Sequence, residues 1–138
     1  MIEDVLKEQG LFVRSTSGYS MYPMLRDRKD TVVIVPCEGR LKKYDVPLYK
    51  SEGRYILHRI IEVRPDSYVI RGDNCMRTEY GITDADILGV LKTFYRDDKE
   101  VNMNGIGYKL YVRIWHHSFV LRKIIRKMRE KLRNKGAE

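Results

Sequence analysis

The sequence predicts a mainly β domain that is followed by a C-terminal amphipathic helix. Short runs of β-branched and aromatic residues, separated by turn residues, recur between residues 11 and 95. After residue 107 the apolar residues recur every three or four positions, which is typical of a helix. No internal repeat interrupts this order. We therefore expect a β domain over residues 1–104 and a helical tail over residues 105–138.

The β domain is expected to begin with a short helix and to continue as strands. Ile2, Val5 and Leu6 have helical spacing, and Gly10 can end that helix because glycine readily adopts the left-handed conformation. The strands predicted from runs of β-forming residues are 31–35, 46–50, 54–64, 68–71 and 87–95.

The turn residues between these strands predict one hairpin and one linker. Pro65, Asp66 and Ser67 are turn formers, so strands 54–64 and 68–71 are expected to pair as a hairpin. Residues 96–107 are polar and contain two glycines, which is typical of a linker.

Within residues 108–134 the pattern predicts one basic amphipathic helix of roughly 25 residues, about 37 Å long at 1.5 Å per residue. Its apolar positions are Leu110, Ile114, Leu121, Ile124, Ile125, Met128 and Leu132. Aromatic residues cluster near its start, at positions 108, 111, 115 and 119. Three interpretations stay open: the apolar face packs on the β domain, lies on an anionic membrane, or binds a partner or a second copy.

The charge is concentrated in this tail. The chain has 138 residues, 43% of them apolar, and a net charge of +8. Residues 105–138 hold ten basic and two acidic side chains, whereas residues 1–104 hold seventeen of each. A neutral body with a basic tail excludes a uniformly basic nucleic-acid-binding domain, and we expect no nucleic-acid partner.

One loop has the features of a presented nucleophile. We call residues 17–25 (SGYSMYPML) the serine loop. Gly18 permits a tight turn two residues before Ser20, and Pro23 stiffens the chain after it. Such a loop can expose the Ser20 hydroxyl, although most serines in loops of this composition only cap or turn the chain.

A serine needs a base to attack at neutral pH, and His58 is the candidate. It is expected in mid-strand, with Ile56 and Ile60 on its own face, where a neutral imidazole can accept a proton. A core histidine bonded to the backbone is the alternative. His116 and His117 are expected at the surface or at an interface of the tail helix.

A carboxylate near His58 would orient its ring, as the acid does in serine triads. Asp73 follows the strand predicted to pair with that of His58, and Glu79 lies a few residues downstream. Asp73 is the favoured acid because it needs little chain rearrangement to reach the ring. The ordinary interpretation of Gly72-Asp73-Asn74 is a turn.

Five segments resemble, in order and spacing, the S24/S26 serine peptidases, which include signal peptidases and LexA-type self-cleaving repressors. The segments are 17–23 (SGYSMYP), 44–46 (YDV), 57–61 (LHRII), 72–74 (GDN) and 87–90 (ILGV). The resemblance covers about residues 11–95. It implies LexA/signal-peptidase-like coiled antiparallel sheets and a serine endopeptidase activity.

The resemblance also implies the roles of single residues. The family base is usually lysine, and a histidine at position 58 resembles the Ser-His signal peptidases. Ser20 is then the nucleophile, with its backbone N–H in the oxyanion hole, and His58 is the general base. Asp73 matches the Gly-Asp-Asn aspartate, and Glu79 lies where Ser-His relatives have a second acid. Some relatives have a serine where this chain has Gly18, so a second oxyanion donor is not evident.

The chain departs from both branches of the family. The residues before Ser20 contain no membrane-spanning segment, and no helix-turn-helix or Ala-Gly or Cys-Gly cleavage pair precedes it. We therefore expect a small signal-peptidase-like endopeptidase that cleaves an extended, leader- or signal-like peptide. The alternatives are an inactive peptidase-fold binding or regulatory module, and a membrane-surface adaptor that acts through the tail.

Cofactors, metals and secretion are not expected. Cys37 and Cys75 make neither a disulfide scaffold nor a zinc site. The N-terminal segment MIEDVLKEQG carries acids and has no apolar stretch typical of a secretory signal. The expected partner is a peptide or protein substrate. The expected location is cytoplasmic, with peripheral contact at the inner face of an anionic membrane through residues 108–134.

Overall fold

The computed structural model describes residues 1–136, so residues 137–138 of the predicted tail lie outside the described residues. The described chain is mainly β, with helices at both ends. Its elements are α1 Ile2–Gln9, β1 Phe12–Ser15, β2 Asp30–Val35, β3 Pro47–Ser51, β4 Arg54–Leu57, β5 Arg59–Val63, β6 Tyr68–Arg71, β7 Glu79–Ile82, a 3₁₀ turn Asp84–Asp86, β8 Ile87–Arg96, β9 Lys99–Val101, α2 Ile106–His117 and α3 Phe119–Gly136.

The main sheet is antiparallel and curled, with the strand order β1-β2-β8-β3-β4. Strand β8 is its centre, since β2 pairs along one side and β3 and β9 share the other side. Strands β1 and β4 are edge strands at the two ends of this order. The main core combines apolar residues of this sheet with α1 and with Met21, Met24 and Leu25 of the serine loop. The nucleophile candidate therefore sits on a loop that is anchored in the core.

The first helix ends as predicted. Gly10 has a φ of 72°, and its N–H donates to the Leu6 carbonyl at 3.0 Å. Ile2 and Leu6 are buried against the main sheet.

The second sheet has the order β5-β6-β7 and contains the predicted hairpin. Strands β5 and β6 pair antiparallel, and the Arg64 N–H closes the turn on the Ser67 carbonyl at 2.9 Å. A small second core of Tyr49, Ile60, Tyr68 and Ile70 joins this sheet to the first one.

The prediction of a single strand over residues 54–64 is wrong. The segment divides at His58 into β4, which pairs with β3 in the main sheet, and β5, which pairs with β6 in the second sheet. His58 therefore lies outside both strands, at the point where the chain changes sheets. Its neighbours are all good strand formers, so propensity gives no signal of this crossing.

The predicted linker 96–107 contains an additional strand. Strand β9 folds back on β8 through Asp97 and Asp98, both of which have positive φ values. Aspartate tolerates this conformation better than most residues, and two-residue hairpin turns require it.

The predicted single tail helix is two helices that meet at Ser118. The break is one residue wide, and Ser118 is bonded to both helices: its N–H donates to the Ile114 carbonyl, and its carbonyl accepts from the Arg122 N–H. Neither α2 nor any other helix within residues 1–136 has the length and hydropathy needed to cross a membrane.

A buried ion pair joins the second sheet to this tail. Arg59 and Asp73 are both essentially inaccessible, and the guanidinium donates to both carboxylate oxygens, at 2.9 and 3.1 Å. From α2, Tyr111 donates its hydroxyl to Asp73 Oδ2 at 2.8 Å, and His116 Nε2 lies 3.1 Å from Oδ1. The Trp115 indole N–H donates to the Asp73 carbonyl at 2.7 Å. Asp73 is thus the attachment point of α2.

These contacts place two features of the tail at its interface with the β domain. Of the two positions expected for His116, the structure has the interface: its side chain is 6% exposed and lies against Asp73. The aromatic residues near the start of the tail also face the β domain, where Tyr108 contacts Arg59.

Replacing Asp73 by Asn is expected to destabilise the fold strongly, since it leaves the Arg59 guanidinium buried without a counter-charge. Breaking a buried pair in this way costs about 3–5 kcal/mol. Chemical denaturation measures the loss. The control is Asp66→Asn in the exposed hairpin turn, which is expected to change stability by less than about 0.5 kcal/mol. Equal losses in the two variants would contradict the structural role of Asp73.

The stability difference between wild type and Asp73→Asn is expected to depend on pH with a definite sign. Burial alone would raise the pKa of Asp73, but His116 and Arg59 together hold the pKa well below its usual range. The contribution is therefore fully present above the unfolded-state pKa of about 3.9 and is lost as the pH falls below it. Denaturation curves from neutral pH down to about pH 3 test this, and a difference that grows in acid would contradict it.

Candidate active site

The serine loop is fixed at its base by polar contacts. Buried Asp30 accepts hydrogen bonds from the backbone N–H and the guanidinium of Arg26, the latter at 2.6 Å. The Thr16 hydroxyl donates to the Arg26 carbonyl, and the Gly18 N–H donates to Asp27 Oδ1 at 2.7 Å. Gly18 has a φ of 87°, a conformation that favours glycine. The loop that carries Ser20 is therefore held from both ends.

The turn at residues 72–74 holds the serine directly, and we call it the Asp73 turn. The Asn74 N–H donates to the Ser20 carbonyl at 2.8 Å, and the Asn74 side-chain amide donates to the Tyr19 carbonyl at 3.1 Å. Gly72 packs so closely that a Cβ there would lie 2.7 Å from the Ser20 carbonyl oxygen and 3.0 Å from His58 Cδ2. The Ser20 carbonyl oxygen and His58 Cδ2 therefore both lie against Gly72, and their separation cannot exceed the sum of these two distances.

His58 is held through one of its two ring nitrogens. Nδ1 lies 3.3 Å from the Tyr49 hydroxyl and 3.9 Å from Glu79 Oε1. Within residues 1–136 Nε2 makes no hydrogen bond, and it is not among the buried unpaired atoms, so solvent reaches it. The side chain is only 13% exposed. The imidazole is therefore mostly covered, and its Nε2 edge is the part that solvent reaches.

The environment of His58 favours a neutral ring with a basic Nε2. Burial lowers the pKa of His58, and the charges of Glu79 and Asp73 oppose this only in part. Burial, together with the charge of Glu79, raises the pKa of Tyr49. The Tyr49 hydroxyl and Glu79 Oε1 both lie beside Nδ1, where an acceptor stabilises a proton on that nitrogen. A neutral ring with its proton on Nδ1 has an unprotonated Nε2.

The expectation that Asp73 orients His58 is wrong in this geometry. Both of its carboxylate oxygens are bonded to Arg59 and to side chains of α2. Glu79, at the start of β7, is the acid beside Nδ1. Asp73 acts on His58 only through its charge, which raises the pKa of the ring.

Ser20 and His58 line one cleft. Its volume is about 550 Å³, and edge strand β1, the serine loop and edge strand β4 form its walls. Within residues 1–136 no hydrogen bond joins the Ser20 hydroxyl to His58, and the Ser20 N–H has no acceptor. Catalytic hydrogen bonds often tighten only when substrate binds, and an unused N–H beside a nucleophile is available to an oxyanion.

Sequence reasoning missed two residues of this site, Tyr49 and Arg59. Tyr49 lies in the middle of β3, and its sequence context predicts only a strand residue. In the structure it is fully buried, and its hydroxyl reaches His58. Arg59 directly follows His58, and a charged residue within an apolar run was a usable signal, since a buried charge requires a partner.

Within residues 1–136 no group of three or more His, Cys, Asp or Glu side chains is placed to hold a metal ion. No protein-family model matches the chain, and no curated protein matches it.

Replacing Gly72 by Ala is expected to destabilise the chain and displace Ser20, because the new methyl group would overlap the Ser20 carbonyl oxygen and Cys75 Sγ, both 2.7 Å away. Overpacking of this kind costs about 1–3 kcal/mol. Gly107→Ala in α2 is the matched control. No atom lies within 4 Å of its new methyl group, so it is expected to be neutral or stabilising. Unfolding free energies of equal size in the two variants would contradict the close packing.

Proposed function

We propose that this chain is a serine endopeptidase in which Ser20 is the nucleophile and His58 the general base. The observation that carries the proposal is that a serine and a histidine lie on the walls of one cleft. Burial lowers the pKa of this histidine, which favours its neutral form. The unused Ser20 N–H and the network that fixes His58 Nδ1 add to it.

In the proposed reaction the Ser20 oxygen attacks the carbonyl carbon of a peptide bond, and its proton passes to His58 Nε2. The Ser20 N–H donates to the oxyanion that forms. His58 then gives the proton to the leaving amine, which departs and leaves an ester on Ser20. Water attacks that ester with His58 again as base. Glu79 stabilises the charged imidazole in both steps and acts through Tyr49 and Nδ1 rather than on the substrate.

The proposed substrate is an extended peptide, consistent with a leader- or signal-like segment. The cleft runs between two sheet edges, β1 and β4, whose outer backbone groups pair with no other strand of residues 1–136. An extended peptide can pair with such an edge and bring its scissile bond to the serine. We further propose that the curled main sheet and its partner form a LexA/signal-peptidase-like fold, on the resemblance of the five sequence segments.

A fluorophosphonate reagent tests the nucleophile without knowledge of the substrate. Ser20 is expected to displace fluoride and form a covalent phosphonyl ester, detected by mass spectrometry. Ser20→Ala and His58→Ala are expected to abolish labelling, and the matched control Ser17→Ala, exposed in the same loop, is expected to keep it. Labelling elsewhere, or none in a folded chain, would overturn the proposal. The absence of labelling would favour an inactive binding module.

The pH dependence of the reaction rate tests the role of Glu79. Because burial lowers the pKa of His58, the acid limb of the rate is expected below the ordinary histidine value of about 6.5. Glu79→Gln removes a charge that raises this pKa, so the limb is expected to move to lower pH while the rate falls. The fall should be smaller than that in His58→Ala, which is about 10²–10⁴-fold. Glu62→Gln, at an exposed position of β5, is the control, and an acid limb that moves to higher pH in Glu79→Gln would contradict the assignment.

A further inference from the structure

The tail helices α2 and α3 have an inner face that packs against the β domain and an outer face that is exposed. On the inner face, Trp115 packs against Arg122, whose guanidinium lies 3.9 Å from the indole ring centre, and Phe119 packs against Arg71. On the outer face, a row of large apolar side chains lies 39–78% exposed. These residues are Ile106, Leu110, Ile114, Leu121, Ile124, Ile125, Met128 and Leu132.

This row follows one side of both helices. Its members recur every three or four residues in α2, and the interval from Ile114 to Leu121 is seven residues, two helical turns. The hydrogen bonds on either side of Ser118 are both of the helical i→i−4 kind. The apolar row therefore runs along α2 up to Ser118 and along α3 after it, and we call it the outer stripe. Eight large exposed apolar side chains in one row differ from the single, scattered apolar residues of an ordinary protein surface.

The charges beside the outer stripe nearly all have one sign. Residues 106–136 hold ten basic side chains and one acidic side chain, Glu130. At 3.6 residues per turn, Arg129 lies on one flank of the α3 stripe, and Lys127 and Lys131 lie on the other, and all three side chains are exposed. A second copy of the tail would bring like charges together, which disfavours self-association through this stripe. An anionic surface would match both flanks.

We propose that the outer stripe binds the surface of an anionic lipid bilayer. The helices lie in the interface, with the apolar side chains among the acyl chain ends and the flanking lysines and arginines at the lipid phosphates. The attraction to phosphates supplies the dependence on lipid charge, and the stripe supplies burial of apolar surface. This proposal is independent of the proposed peptidase activity, since the inner face alone contacts the Asp73 turn.

The test is cosedimentation of the full chain with vesicles of phosphatidylglycerol and phosphatidylcholine, compared with phosphatidylcholine alone. Binding is expected only to the anionic vesicles and is expected to weaken as salt rises, because the charges are screened. Leu121→Glu with Ile125→Glu is expected to abolish binding. Lys127→Gln with Lys131→Gln is expected to weaken it by roughly fivefold for each lysine removed. All four residues are exposed, so the variants are expected to fold.

Val63→Glu is the matched control, since it places an acid on an exposed apolar position in the β5–β6 hairpin, away from the tail. It is expected to bind like the wild type. Failure of the wild type to bind anionic vesicles at low salt would overturn the proposal, as would binding that Leu121→Glu with Ile125→Glu leaves unchanged. A dimer in light scattering that this pair of changes dissociates, without vesicle binding, would also overturn it and make the stripe a contact between two copies.

Discussion

The buried pair of Arg59 and Asp73 is the interaction on which the rest of the structure depends. Arg59 directly follows His58 at the crossing between the sheets, and Asp73 lies beside the residues that hold Ser20. The pair therefore fixes both candidate catalytic segments relative to each other. Two buried charges are costly to desolvate, and the cost is offset here because tyrosine hydroxyls, His116 and a backbone carbonyl satisfy the remaining donors and acceptors.

This use of Asp73 has a consequence for the proposed chemistry. A carboxylate that accepts from Arg59, Tyr111 and His116 cannot also accept from His58. The imidazole is instead supported by Tyr49, on β3 of the main sheet, and by Glu79, on β7 of the second sheet. The Asp73 turn contributes by position, because its Asn74 N–H holds the Ser20 carbonyl and its Gly72 leaves room for that contact. The same turn anchors α2, so the tail and the cleft are fixed to one point.

Local pattern predicted the parts of the fold that depend on near neighbours in the chain. The helix that ends at Gly10 and the β5–β6 hairpin are determined by local residues, and both are confirmed. The crossing at His58 depends on which strand each half pairs with, a distant contact that strand propensity does not encode. The choice between Asp73 and Glu79 failed for the same reason, since the partners of Asp73 come from Arg59 and from a helix about forty residues away. The spacing of the apolar residues predicted the amphipathic tail, but it did not predict which face of the tail is exposed.

The protonation of His58 tests the central claim most directly, because the proposed reaction requires a neutral ring whose free nitrogen faces the cleft. Nitrogen NMR of the imidazole side chains at neutral pH distinguishes the two neutral tautomers and the charged form. The expected result is a neutral His58 with its proton on Nδ1, hydrogen-bonded to Tyr49, and an unprotonated Nε2. A His58 that is charged at neutral pH, or that carries its single proton on Nε2, would contradict the account.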